Sequence, residues 1–119
     1  MRKSCYDCVK KHLGSAGIFI KETLMGYPDY EIWVIGELEH AADESLNKNP
    51  DLARLIREHR LAWMSDKSHL IPFEALGRYI NCCSMAENQR LPCPEIPDDV
   101  KTGLATENGE LVISGDTRP

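Results

Sequence analysis

The chain has 119 residues, a length that suits one domain of ordinary size and excludes a multidomain enzyme. Its 19 acidic and 14 basic residues give a net charge of −5, which argues against a basic nucleic-acid-binding module. The longest apolar run, residues 16–20, is too short to cross a bilayer, and no apolar segment follows the basic start. We therefore expect no membrane span, no signal peptide and a cytoplasmic location.

The first two helices are predicted on either side of a short link. The first runs from Ser4, a suitable N-cap, to Gly26, which occupies the position of a C′ glycine. The second begins after residues 28–29 and ends near Asn47. The helical period places one set of side chains in the core: Val9, Leu13, Ala16, Gly17, Ile20 and Leu24, and then Val34, Ile35, Leu38, Ala41, Ala42 and Ser45. The short link predicts an antiparallel hairpin.

The third and fourth helices also have recognisable starts. Asn49 is a predicted N-cap followed by Pro50 in the first helical position, and this helix should end near residues 64–66. Pro72 opens the fourth helix. The inward stripes are Leu52, Leu55, Ile56, His59 and Trp63 in the third helix, and Phe73, Leu76, Ile80 and Cys83 in the fourth. These patterns predict a mainly α fold, a bundle of three or four helices.

The composition changes towards the carboxyl end. Four of the seven prolines follow residue 88, and residues 91–97 should be extended because each proline disfavours a helical predecessor. An Asn-Gly pair between two β-prone runs predicts a short β-hairpin at residues 104–113. The chain is therefore predicted to divide into a helical metal-binding domain, 1–88, and a proline-rich extended arm, 89–119.

The charge layout supports this organisation. The first 21 residues are basic, whereas the segment from Glu22 to Asn47 contains seven acids and no lysine or arginine. This contrast favours pairing of the first two helices, although exposed ion pairs contribute only about 0–1 kcal/mol each. Residues 86–119 carry seven acids and three basic residues. We therefore expect the acidic arm to favour basic protein surfaces.

The spacing Cys5-x2-Cys8-x3-His12 indicates a metal site. On a helix these residues share one face, and two cysteines at a helix start form a typical zinc knuckle. The five cysteines are an odd number and include a vicinal pair, so a disulfide framework is disfavoured in a reducing compartment. An antiparallel hairpin returns His40 beside His12. The predicted site is therefore a structural zinc ion held by Cys5, Cys8, His12 and His40.

The identity of the fourth ligand stays open. Glu44 or Asp43 can replace His40 on the second helix. A rival set consists of Cys5, Cys8, Cys93 and one of Cys82 and Cys83. The alternative without metal has buried thiols, a boundary histidine at position 12 and a solvated face around His40.

The remaining candidate site residues concern partners. Arg54 and Arg57 face away from the inward stripe of the third helix, and Leu111 and Ile113 lie in the predicted hairpin. We predict that these four residues contact a protein partner, with the arm as the docking segment. The sequence also leaves a homo-oligomer open.

Residues 5–64 resemble small helical proteins of bacteriophages and prophages. The similarity is carried by Cys5-x2-Cys8-x3-His12-Leu13, by Gly26-Tyr27-Pro28, by Gly36-x-Leu38-x2-Ala41-x2-Glu44, by Pro50-x-Leu52 and by Arg57-x2-Arg60. The resemblance associates the cysteines and His12 with metal but implies no activity. It also raises the prospect of a virion component or a protein of the host cytoplasm.

These patterns predict a small zinc-stabilised helical module that acts in protein–protein interaction or as a structural, virion-associated protein, and not as an enzyme. A zinc-dependent hydrolase is the first alternative, with three ligands on zinc and Glu37 or Glu44 activating water. A nucleic-acid-binding accessory protein is the second, through Arg54, Arg57 and Arg60, although the net charge disfavours it.

Overall fold

The computed structural model describes residues 5–101, which are mainly helical. The elements are α1 (Tyr6–Leu24), a 3₁₀ turn (Pro28–Tyr30), α2 (Glu31–Ser45), α3 (Pro50–Ser65), α4 (Phe73–Asn88) and α5 (Asp98–Lys101). The predicted helical fold is thus confirmed, and the predicted hairpin at 104–113 lies outside the described residues. Within residues 5–101, the helices are all too short or too polar to cross a membrane.

The chain divides into two compact units, residues 1–60 and 61–119, and the division falls within α3. The first unit contains α1, α2 and most of α3. The described part of the second unit contains the end of α3, α4 and α5. The predicted domain boundary after residue 88 stays a prediction.

The start of α1 is capped by Cys5, one residue after the predicted N-cap. Its backbone is extended (φ −141°, ψ 107°), and its Sγ accepts a hydrogen bond from the backbone N–H of Cys8 at 3.1 Å. The prediction of Ser4 as N-cap is therefore wrong. The Cys5 sulfur occupies the place of the usual hydroxyl oxygen because it reaches one of the unpaired N–H groups of the first turn.

The end of α1 follows the predicted glycine pattern. Gly26 adopts φ 108°, the N–H of Gly26 donates to Thr23 O at 3.2 Å, and the N–H of Tyr27 donates to Glu22 O at 3.1 Å. These two bonds define a Schellman motif, which needs a left-handed residue at C′. Gly26 therefore turns the chain from α1 towards α2.

The helices α1 and α2 form the antiparallel hairpin that the short link predicts. The N–H of Cys5 donates to Glu44 O at 3.4 Å, which joins the start of α1 to the end of α2. At the opposite end, the ring of Phe19 contacts the rings of Tyr30 and Trp33. The buried side chains of the hairpin are Tyr6, Val9, Leu13 and Ala16, and then Val34, Leu38, Ala41, Ala42 and Ser45.

The inward stripes of the later helices are largely as predicted. The Oδ1 of Asn49 accepts from the N–H of Leu52 at 3.1 Å, which confirms the predicted cap of α3. All five residues of the predicted α3 stripe are buried, including His59. On α4, Leu76, Ile80 and Cys83 are buried and Phe73 is half-buried.

In the second unit, the described part of the arm returns to α4. Residues 91–97 lack helix, as predicted, but the chain then forms the short helix α5. The hydroxyl of Tyr79 donates to Pro94 O at 2.8 Å, Arg78 lies 3.4 Å from Asp99, and Val100 is fully buried. The predicted extended arm therefore includes a short helix, α5, in which Val100 is buried.

Candidate functional site

The open end of the hairpin carries the predicted metal ligands of α1. The structure contains a disulfide bond between Cys5 and Cys8, whose Cα atoms lie 5.1 Å apart. The sequence predicts reduced thiolates at these positions. Both arrangements follow from the same local geometry, because a Cys-x2-Cys spacing in the first helical turn brings two thiols together.

The two predicted histidine ligands also meet across the hairpin. The rings of His12 and His40 stack with centroids 5.3 Å apart and an interplanar angle of 29°. The Nδ1 of His12 lies 2.6 Å from Oε1 of Glu37 on α2. The side chains of His12 and Glu37 are 31% and 22% exposed, so water screens this pair only in part.

These side chains are close to one another but are not arranged as ligands. Within residues 5–101, the structure holds no group of three or more His, Cys, Asp or Glu side chains that could bind a metal ion as they stand. The sulfur atoms of Cys5 and Cys8 are bonded to each other, and the imidazoles of His12 and His40 are stacked. Zinc binding therefore requires reduction of the disulfide between Cys5 and Cys8, because thiolates bind zinc and a disulfide does not.

The other proposed ligands lie in different places. Glu44 is beside the site, because its carbonyl accepts from the N–H of Cys5. The carboxylate of Asp43 instead accepts a hydrogen bond from Arg57. The cysteines at 82, 83 and 93 belong to the second unit. The histidine set, like its variants with Glu44 or Asp43 in place of His40, therefore draws all its ligands from the first unit.

The predicted partner-binding arginines differ in their surroundings. Arg57 donates to Asp43 at 2.7 Å and to Glu39 at 3.3 Å, and Arg60 lies 3.2 Å from Glu39. These ion pairs join α2 to α3. Arg54 is exposed, and its guanidinium lies 3.8 Å from the carboxylate of Asp51. The other two predicted partner residues, Leu111 and Ile113, lie outside the described residues.

The linked end of the hairpin, where α1 is joined to α2 through the 3₁₀ turn, carries an exposed apolar surface that was not predicted. It consists of six side chains that are 56–71% exposed, and we call it the apolar tip: Ile18, Leu24, Met25, Tyr27, Ile32 and Trp33. These are half of the twelve large apolar side chains exposed within residues 5–101. The sequence holds a signal for part of it, because Ile32 and Trp33 lie outside the inward stripe of α2.

A cleft opens within this end of the hairpin. It has a volume of about 440 Å³ and is lined by Phe19, Asp29, Tyr30 and Trp33. Phe19 stacks on Tyr30 with centroids 5.6 Å apart, and Trp33 is tilted towards Phe19 at 5.9 Å. The edge of Tyr27 approaches Tyr30 at 6.4 Å. The cleft therefore combines three aromatic residues with one acidic residue.

Comparisons with models of protein families, with curated proteins and with solved structures found no match to this chain.

Proposed function

We propose that this chain is a small protein-interaction module that binds its partner through the apolar tip and holds a structural zinc ion at the other end of the hairpin. The observation that carries the proposal is the concentration of exposed apolar side chains at the tip. Exposed apolar side chains concentrated in one segment of a small protein favour an interaction site, because their exposure to water is unfavourable.

The charges around the tip favour a basic partner protein. Three acidic residues, Glu22, Asp29 and Glu31, lie in this segment with one basic residue, Lys21. A second copy docked tip to tip would bring like charges together, whereas a partner with a basic, apolar segment would complement them. A virion or host protein with such a surface suits the resemblance to phage proteins.

The contact of His12 with Glu37 supports the zinc part of the proposal. A histidine that binds metal through one ring nitrogen usually donates from the other to a carboxylate. With Nδ1 directed at Glu37, the Nε2 of His12 is left to act as a ligand beside Cys5, Cys8 and His40. The ion would hold the start of α1 against α2, and its two thiolates require a reducing compartment such as the cytoplasm.

Site-specific crosslinking tests the interaction function. A photoreactive amino acid replaces Ile32 at the tip of the full chain, and in a control variant it replaces Met85, an exposed side chain of α4. We expect the tip probe, but not the control, to crosslink one defined protein with a basic segment. Trp33→Asp should abolish the crosslink, and the same substitution should abolish binding of the purified partner.

Two results would contradict this function. Crosslinking of the same proteins from positions 32 and 85 would show nonspecific adhesion. Crosslinking only to a second copy of the chain would make the tip a self-association surface.

A further inference from the structure

We propose that the cleft at the apolar tip binds the guanidinium group of an arginine in the partner protein. This inference rests on the proposed interaction function and assigns the chemistry of its central contact. The cleft is lined by three aromatic residues, Phe19, Tyr30 and Trp33, and by one acidic residue, Asp29. An aromatic wall with a single acid is suited to a planar cation.

The aromatic walls are already assembled in the unbound protein. Phe19 comes from α1, Tyr30 from the 3₁₀ turn and Trp33 from α2, and their rings contact one another. Pro28 stands at the start of the turn, where its fixed φ reduces the freedom of the unfolded chain. A preformed cleft loses little conformational entropy on binding, which favours affinity.

The carboxylate of Asp29 selects the charge of the occupant. A purely apolar side chain in the cleft would cover this carboxylate without giving it a partner, which is unfavourable. An anion would be repelled by Asp29 and by the neighbouring Glu31. A cation avoids both costs, because it pairs with the carboxylate and is attracted to the ring faces.

Shape favours arginine over lysine. A guanidinium is flat and weakly hydrated, so it can stack on an aromatic ring while its N–H groups donate to a carboxylate in the same plane. The ammonium of lysine is compact and strongly hydrated.

Two tryptophans allow a direct test by NMR. Trp33 is 57% exposed in the cleft, whereas Trp63 is fully buried, so the indole N–H signal of Trp63 is an internal control. The full chain is titrated with the peptide Ala-Leu-Arg-Leu-Ala, which is acetylated and amidated so that its termini carry no charge. Matched peptides carry citrulline, lysine or glutamate in the central position. Trp33→Phe assigns the two signals.

We expect the arginine peptide to shift the Trp33 signal and to leave the Trp63 signal in place. Citrulline has nearly the same shape without the charge, so its peptide should bind about tenfold more weakly. The lysine peptide should be intermediate, and the glutamate peptide should not bind. Asp29→Asn should weaken the arginine peptide about tenfold, whereas Asp51→Asn, an equal charge change on α3, should alter binding less than about twofold.

Equal affinity for the arginine and citrulline peptides, or no effect of Asp29→Asn, would overturn the inference. A Trp33 signal that no peptide shifts would do the same. A shift with protein concentration alone would identify a second copy as the occupant and also overturn it. If the tip crosslinks to a partner but does not bind the arginine peptide, the arginine contact is refuted and the interaction function stands. If the peptide binds but no partner is crosslinked, the interaction function is refuted.

Discussion

The imidazole of His12 and the carboxylate of Glu37 form a direct contact across the hairpin, with Nδ1 of His12 2.6 Å from Oε1 of Glu37. The contact joins α1 to α2 one helical turn beyond Cys8. It orients the His12 ring and fixes which nitrogen is available to a ligand.

Removing the Glu37 charge should therefore weaken zinc binding. Glu37→Gln keeps the size of the side chain but loses the charge, and loss of such an outer partner typically lowers metal affinity about 10–100-fold. Competition with a chromophoric chelator measures the change in reduced protein. Glu58→Gln, an exposed acid on α3, is the control. Equal zinc affinity in wild type and Glu37→Gln would contradict a ligand role for His12.

The sulfur pair makes zinc binding dependent on the redox state. Reduced protein should bind about one zinc ion per chain, because thiolates are ligands and a disulfide is not. Cys8→Ser should remove zinc binding, and in the presence of zinc this variant should melt at a lower temperature than wild type. Cys82→Ser should leave both the zinc content and the melting temperature nearly unchanged. Elemental analysis and circular dichroism provide the measurements. Reduced, folded wild type that remains free of zinc in the presence of the ion would refute the zinc proposal.

The ion pairs of Arg57 should contribute to stability. Arg57→Ala removes contacts to Glu39 and Asp43 and should lower the free energy of unfolding by about 1 kcal/mol, since exposed and half-buried pairs are weak. Arg54→Ala changes an exposed residue on the same helix and should cost less than about 0.5 kcal/mol. Urea denaturation measures both. If the Arg54 variant were the less stable one, the assigned ion pairs would be unimportant.

Arg90 should be a position where glycine stabilises the protein. It ends α4 with φ 61°, and the N–H of Leu91 donates to Ala86 O at 2.8 Å in a Schellman arrangement. A side chain in this left-handed region is strained, so Arg90→Gly should raise the free energy of unfolding by about 0.5–1 kcal/mol. Gln89 has φ −95°, and Gln89→Gly should give no gain. Thermal or urea unfolding distinguishes the two variants.

His69 should make the protein less stable in mild acid. Partial burial lowers the pKa of its imidazole below the ordinary value of 6.5, although Asp66 opposes the shift. The unfolded chain therefore takes up a proton before the folded one, so this contribution to stability is present above pH 6.5 and is lost as the pH falls through the folded pKa. The melting temperature of wild type should fall more between pH 7.5 and 5 than that of His69→Gln. Identical pH profiles would refute this contribution.

The features that the sequence predicts well depend on neighbouring residues. Asn49 begins α3 and Gly26 ends α1, and the hydrogen bonds at these two helix ends join residues only three to five positions apart. Their roles therefore follow from local chemistry. The inward stripe of α3 follows from helical period alone. The observed N-cap of α1, Cys5, lies one residue after the predicted N-cap, Ser4. The difference arises because the preferred N-cap side chains carry oxygen acceptors, and cysteine is not one of them.

The features that sequence reasoning missed depend on distant residues. The engagement of Arg57 by Glu39 and Asp43 requires the positions of two helices, and an arginine on an outward face gives no sign of it. The aromatic cleft likewise forms from residues of α1, the turn and α2, which only the hairpin brings together. The sequence did place His12 and His40 at one end of the hairpin, because antiparallel pairing sets that register.

The first helical turn of α1 depends on a sulfur atom for its cap. Sulfur is a weak acceptor, and once the bond to Cys8 is reduced the Cys5 thiolate also reacts with alkylating agents, oxidants and soft metals. Any reagent that engages Cys5 therefore acts on the backbone of the helix start as well as on the side chain. The amide of Cys8 is a natural reporter of that chemistry, since its hydrogen exchange responds to whatever occupies the sulfur.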